Sequence, residues 1–507
     1  MKEKFSAILV LISLLITACN SKVRPKIDGR LRSVRSEIIE LVSNGKVPSI
    51  SIAVAKDGEI IWEESFGYAD LENQIKATLH TKYRSASIAK TITATGIMTL
   101  VEQGLVDLDQ PILEYIPDIS MKSFVGNEEE ITVRQILNHR SGLAPYCAQY
   151  FEDGNEEPPD FHEIVNRYGI FVFPPDWTFI YSNLGYELAG YLITQVSGIE
   201  YSEYIQENIF LPLGMNNSVV YKRGLDVKNR ALCYRRDFQP LPDYHASYPG
   251  AEDIFFSAHD LILFAMFHLK NHLPEQKAIL SDESIDKMQE FNPPDNKRYG
   301  LGWSFDVDFT SYRAIYHAGS GPGSGNMMRL FPSENLAFVI LCNTGAINEY
   351  MIEIHNDICD ALVPGFIEAE DIQEEPQQEQ SIKEEKELPV QYFGSWNGKI
   401  VTYEGDIPVT FKVDQDHGFR IKIDDDKEAQ IETSVLSENF LLGYFTGTIP
   451  TSDGINHSSK IRLAITRDGD VLCGQATIDQ RVEELDVKYE LSSWIKLEKR
   501  KEGKLRE

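Results

Sequence analysis

Apolar residues recur at helical intervals from Leu31 to Val42, and the run stops at Asn44-Gly45, a helix-ending pair. Two strand-like stretches follow, Ile50–Ala55 and Ile60–Phe66, and Lys56-Asp57-Gly58 between them predicts a hairpin turn. Ser87 to Gln103 reads as a helix closed by Gly104 at the position after its last turn. Its small residues Ala89, Ala94, Thr95 and Gly96 suit a helix buried against close neighbours. More helices are expected over Thr132–Asn138, Tyr186–Ser197 and Ala258–Lys270, the last behind Ser257 and Asp260 in a near capping box. Strand patterns return at Ala314–His317, Met327–Phe331 and Leu336–Cys342. Strands at both ends with helices between them predict one sheet assembled from distant parts of the chain, an α+β or α/β sandwich ending near Phe366.

From Glu368 to Glu387 the pattern vanishes into Glu, Gln and Lys, the composition of a solvated linker. Beyond it, strand-like runs at Ile400–Tyr403, Val409–Val413, Phe419–Ile423, Phe440–Phe445, Lys460–Ile465, Val471–Ala476 and Leu485–Leu497 alternate with turns. No helix-period segment competes, so a small antiparallel all-β domain, a barrel or curled sheet, is expected. At the other end Lys2 and Lys4 precede an apolar run, Phe5–Ile16, that is short for a bilayer span. It ends in Leu15-Ile16-Thr17-Ala18-Cys19, which resembles the lipobox of bacterial lipoproteins. That resemblance implies cleavage before Cys19, lipidation of its thiol and a place in the bacterial cell envelope, held to the membrane by the lipid anchor only. The chain thus divides into a leader (1–18), a spacer (19–34), a catalytic domain (35–366), an acidic linker (367–388) and a β domain (389–507).

Composition narrows the partners. The 507 residues are 42% hydrophobic and 25% charged, as in soluble globular proteins, and too many for one ordinary core. A net charge of -29 argues against nucleic acid, because no broad face could neutralise phosphates. Part of that acidity is concentrated in the linker and says little about substrate. Besides Cys19, the five cysteines Cys147, Cys233, Cys342, Cys359 and Cys473 lack metal-site spacing. No metal or cofactor is expected, and one disulfide remains open.

Three short motifs, in order, carry the chemistry. Ser87-Ile88-Ala89-Lys90 puts a hydroxyl and an amine three residues apart, on one face of a helix. A serine needs such a partner to become a nucleophile, and a helix N-terminus favours negative charge developing there. The same spacing at Ser43, Ser284 and Ser493 lacks the order or the domain, so spacing alone decides nothing. Tyr181-Ser182-Asn183 offers a phenol that can shuttle the serine proton and an amide that can hold a substrate amide. His317-Ala318-Gly319 ends a strand running into Ser320-Gly321-Pro322-Gly323, where small residues admit a substrate backbone. The pair His268 and His272 lacks the glutamate and third ligand of a zinc hydrolase.

In this order the motifs resemble the serine β-lactamase and penicillin-binding protein family, in its class C-like branch. Ile131-Thr132-Val133-Arg134-Gln135-Ile136-Leu137-Asn138-His139-Arg140-Ser141-Gly142-Leu143 and Phe179-Ile180-Tyr181-Ser182-Asn183-Leu184-Gly185-Tyr186 are similar to its recurring stretches. The resemblance implies an antiparallel sheet flanked by helices, with a helical subdomain. It implies that Ser87 is acylated, that Lys90 activates it and that Tyr181 acts as general base and acid. Asn183, His317, Gly319 and Ser320 would bind substrate, with His317 supporting Tyr181 and a substrate carboxylate where lysine is common. The amides of Ser87 and Ser320 would form the oxyanion hole. A neutral histidine holds a carboxylate less securely than lysine does, and Asp176 after Pro175 departs from the glycine often found there. The expected function is hydrolysis of a small-molecule or peptide amide or ester: β-lactams, D-alanyl cell-wall peptides or small esters. The rival is a binding protein that keeps the fold and acylates weakly. The β domain resembles the lipocalin-like extensions of some family members.

Overall fold

Seven antiparallel strands form the central sheet, in the order Ser304–Asp306, Ala314–Gly321, Ser324–Phe331, Leu336–Cys342, Ser49–Lys56, Glu59–Asp70 and Ile75–Lys76. The computed structural model describes residues 27–500 except 153–158, 272, 275, 291–298, 307–312, 365, 367–387, 454–459 and 483–486. The leader, Cys19 and all of the expected linker but Leu388 lie outside the described residues. The early hairpin forms with Asp57 at φ +51° and Gly58 at φ +83°, the pair of positive φ values that matches strand twist. Lys56-Asp57-Gly58 is therefore the turn that its sequence predicts.

The middle of the sheet joins the two ends of the catalytic layer: Ile50 faces Cys342 and Lys56 faces Leu336. Both strands are covered on both faces, so their sequences are nearly continuous apolar runs. Ile50, Ile52, Val54, Phe338 and Ile340 pack on helices Arg32–Ser43 and Met351–Leu362. Ala53, Ala55, Val339 and Leu341 face the other way, toward helix Ala258–His268. Beyond that layer, helices Ala89–Glu102 and Asn183–Ser197 pack on each other as the core of a helical subdomain. The ordered layer begins before the spacer boundary expected at 34. Leu31 and Val34 are already fully buried against the sheet.

The C-terminal domain is a nearly closed antiparallel barrel. Its strand order runs Ala429–Gln430, Gly418–Ile423, Asp406–Asp414, Gly394–Val401, Val487–Lys499, Val471–Val482, Lys460–Asp468, Phe440–Thr446 and Glu432–Leu436. The two outermost strands are separated by a single residue, Ile431, so the sheet curls until its ends meet. Alternate residues such as Trp396, Phe411, Ile421, Leu441 and Leu463 fill the interior.

This barrel docks on the catalytic domain through its last strand. Leu491 and Glu490 pair with Tyr146 and Cys147, and Ser492 Oγ donates to the Pro145 carbonyl at 2.7 Å. Phe124 stacks on Trp494 with centroids 4.3 Å apart. Asp453 accepts from Tyr168 and Arg167 of helix Phe161–Tyr168, and also from Tyr403 (2.7 Å) and Thr451 (3.0 Å) of its own domain. Removing that shared acceptor strands several part-buried donors at once. Asp453→Ala is expected to lower stability by about 2 kcal/mol, read as a fall in the urea midpoint, while Glu404→Ala at the exposed rim changes it little.

Candidate active site

The turn that carries Ser87 is fixed from four sides. Ser87 lies in a tight 3-10 turn, Ala86–Ile88, and the α-helix begins only at Ala89, two residues later than the helical pattern predicts. Ala86 before it has φ +44°, a left-handed value that costs a non-glycine residue energy and must be held by its surroundings. The Ser85 amide donates to the Ile254 carbonyl at 2.7 Å, and Ser85 Oγ donates to the Glu252 carbonyl at 2.8 Å. Asn326 Nδ2 donates to the carbonyls of Arg84 (2.8 Å) and Ser85 (3.3 Å). Arg84 is fully buried, paired with Asp253 at 3.0 Å and lying over the Tyr244 ring at 3.8 Å.

Lys90 is 0% exposed, which obliges its ammonium to find partners for every donor. It finds three: Ser87 Oγ at 3.1 Å, Asn183 Oδ1 at 2.7 Å and the Ala251 carbonyl at 3.2 Å. Its Nζ also lies 4.8 Å from the centre of the Tyr181 ring. The structure thus gathers Ser87, Lys90, Tyr181 and Asn183 from two distant segments around one cation. Asn183 sits in the first turn of its helix, which starts three residues earlier than the pattern predicts. Its acceptor oxygen is taken by Lys90. Among the described residues, the Tyr181 hydroxyl makes no hydrogen bond to Ser87; such bonds often tighten only with substrate.

Gly319 explains how the third motif reaches the first. A Cβ there would stand 2.4 Å from the Ser85 carbonyl oxygen, so only glycine lets strand Ala314–Gly321 lie against the nucleophile turn. Ser320, next along, is exposed, and its Oγ accepts from Asn348 Nδ2 at 3.3 Å. His317 departs from the expectation. Its ring is buried, Nδ1 donates to the Ala318 carbonyl at 2.7 Å, and Nε2 meets the Tyr299 hydroxyl at 3.0 Å. Both ring nitrogens are engaged by the protein, so His317 braces Tyr299 instead of presenting a cation to Tyr181 or to a substrate.

Several contributors lay beyond sequence reasoning. Glu252 is buried beside Ala251 and accepts from Gln149 Nε2 at 3.2 Å and 3.3 Å. Burial first, and Asp253 next, push its carboxyl up, while the nearby Lys90 and Arg84 hold it down. Glu187, buried with Ser247 as its partner, is pushed up to about 8, chiefly by burial. Tyr299 and Glu252 stand in stretches without helix or strand periodicity, so no sequence signal marked them. All five described cysteines are free thiols.

A family model described as Beta-lactamase matches residues 34–357. The chain is 28% identical over 351 residues to the putative penicillin-binding protein PbpX of Bacillus subtilis (strain 168), covering 68% of this chain and 82% of that protein. It is similar to the D-amino acid amidase of Ochrobactrum anthropi SV3, solved with L-phenylalanine amide, at 26% identity and a TM-score of 0.53, over 66% of this chain and 99% of that one. The octameric penicillin-binding protein homologue of Pyrococcus abyssi covers 92% of this chain and 99% of its own, at 24% identity and a TM-score of 0.55. That last likeness speaks to the fold alone.

The electrostatics of His317 yield a test. Burial first, and Lys90 next, push its imidazole down to about 3 from an ordinary 6.5. Between those values the unfolded chain binds a proton that the folded chain does not. The stability contributed by the neutral ring is therefore present above pH 6.5 and lost as pH falls toward 3. His317→Gln is expected to flatten the unfolding free energy over that window by about 1.4 kcal/mol per pH unit, measured by urea denaturation. An unchanged slope would show that the folded protein carries His317 charged.

Proposed function

The chain belongs to the beta-lactamase family, and from that premise we propose that it is a serine hydrolase that acylates Ser87 with an amide or ester substrate. The observation that carries this reading is the Lys90 ammonium, wholly buried and 3.1 Å from Ser87 Oγ, on a turn pressed against Gly319. With its three donors engaged by three acceptors, Lys90 acts as a fixed cation, and Tyr181 is the group that moves the proton. Ser87 Oγ attacks the substrate carbonyl carbon while its proton passes to Tyr181 as phenolate, stabilised by the adjacent ammonium. The amides of Ser87 and Ser320 hold the oxyanion, an arrangement whose single donors are each worth about 3 kcal/mol. Collapse breaks the bond to the amine or alcohol, which leaves with the proton from Tyr181. Water then attacks the acyl-serine ester by the same route, releasing the acid and restoring Ser87.

The substrate class we favour is D-amino-acid amides and peptides and small esters, ahead of β-lactams. The similarity to a D-amino acid amidase supports the first part. The engaged, neutral His317 supports the second, since it offers no charge to the carboxylate of a β-lactam. The leader pattern at Leu15–Cys19 supports an envelope lipoprotein whose catalytic domain works outside the cytoplasm. The experiment compares D- and L-alanine amide, a chromogenic ester and a chromogenic β-lactam, with intact mass read for a trapped adduct. Turnover is expected for the D-amide or the ester, falling by about a thousandfold or more in Ser87→Ala. An adduct without turnover would make the protein a slow penicillin-binding receptor, and neither adduct nor turnover with any substrate would overturn the proposal.

A further inference from the structure

The motif around His139 has no part in the chemistry described so far, yet its geometry encloses Tyr181. His139 follows the short helix Val133–Leu137 and has φ +59°, a left-handed value that few residues other than Gly, Asn, Asp and His accept. It is 2% exposed. Its carbonyl accepts the Ile180 amide at 2.8 Å, and its Nδ1 accepts the Ser182 amide at 3.3 Å. The two bonds seize the chain on either side of Tyr181. Between them the imidazole packs on the Tyr181 ring, with centroids 4.3 Å apart and planes at 38°. On another side the ring meets Tyr299 at 5.0 Å, the residue whose hydroxyl meets His317.

The protonation state follows from these contacts. An Nδ1 that accepts from an amide must be bare, so the ring proton sits on Nε2, which has no partner among the described residues. A second proton would face the Ser182 N–H donor to donor, close to the Lys90 charge. Burial first, then Lys90 and His317, hold the ring well below the usual histidine range, in agreement with that geometry. A neutral imidazole is therefore a permanent acceptor and a permanent flat surface.

We propose that His139 is the positioning residue of Tyr181, its Nδ1 fixing the turn that carries the tyrosine and its ring setting the angle at which the phenol meets Ser87 and Lys90. The role rests on the acyl-transfer reading of the preceding subsection. It requires a residue that tolerates positive φ and carries a side-chain acceptor. Asparagine meets both conditions, and glycine meets only the first. Both should fold, because neither strains the backbone there.

The test is a double-mutant cycle on the full chain, using the best substrate found for the wild type. His139→Gly is expected to lower the acylation rate constant at least 30-fold, with KM within about threefold, and His139→Asn to recover to within about fivefold of wild type. In a Tyr181→Phe background, His139→Gly should have no further effect. A full His139→Gly penalty persisting in Tyr181→Phe, or equal losses in the Asn and Gly variants with KM rising in both, would overturn the role. A wild type that turns over while His139→Gly acylates at the same rate would overturn it alone. A wild type inert toward every substrate would overturn it together with the acyl-transfer reading.

Discussion

One buried cation organises this molecule. Lys90 has no contact with water, and its ammonium is matched donor for donor by Ser87 Oγ, Asn183 Oδ1 and the Ala251 carbonyl. An uncompensated buried charge costs several kcal/mol, so each acceptor must be delivered to within a fraction of an ångström. Those acceptors come from the nucleophile turn, the start of helix Asn183–Ser197 and the segment before strand Ile254–Phe256. Satisfying the lysine therefore also places Ser87 beside the Asn183 amide, the pair on which the proposed acyl transfer depends. The same requirement that keeps the core stable assembles the chemistry.

Around that cation the charges are arranged in two tiers. Arg84 is neutralised by Asp253 and capped by the Tyr244 ring, so it anchors the turn without adding a free charge beside Lys90. Glu252 and Glu187 are buried nearby, with their ionised forms disfavoured by burial. The histidines are held neutral as well: burial first, and then the lysine itself, push His139 and His317 down. Lys90 thus suppresses competing positive charge in its neighbourhood. That is why a histidine at position 317 is a different device from a lysine there, engaged with Tyr299 and the Ala318 carbonyl.

Periodicity made the scaffold legible and left most of the site's support invisible. The nearly continuous apolar runs Ile50–Ala55 and Leu336–Cys342 betray strands covered on both faces, and the pair does form the middle of the sheet. The cap at Ser257 was equally readable, and it accepts the Asp260 amide; the structure adds a full capping box of Thr132 with Gln135. The start of the nucleophile helix was not readable, because Ser87 belongs to a 3-10 turn whose shape is imposed by Gly319, Asn326 and Glu252. Ser87 and Lys90 are in contact all the same, since a 3-10 turn also stacks residues three apart. Tyr299, Glu252 and His139 act through contacts with residues tens to hundreds of positions away. A local pattern carries no trace of such partners.

The barrel bears on the same geometry from behind. Trp494 of its last strand belongs to one buried cluster with Ala144, Ile170, Val172 and Phe173, and Ile180 packs on that cluster one residue before Tyr181. Trp177, stacked on Phe173 at 4.7 Å, reaches Phe440 of the barrel at 5.5 Å. The segment that delivers Tyr181 is therefore gripped on one side by His139 and backed on the other by apolar side chains of a separate domain. Pairing of Tyr146–Cys147 with the last barrel strand fixes the loop that leads to Gln149 and so to Glu252. A two-residue strand leaves no periodicity to read, so no local pattern marks this pairing. The backbone pairing makes the barrel part of the frame on which Tyr181 and Glu252 are mounted, and close packing transmits displacement across such an interface.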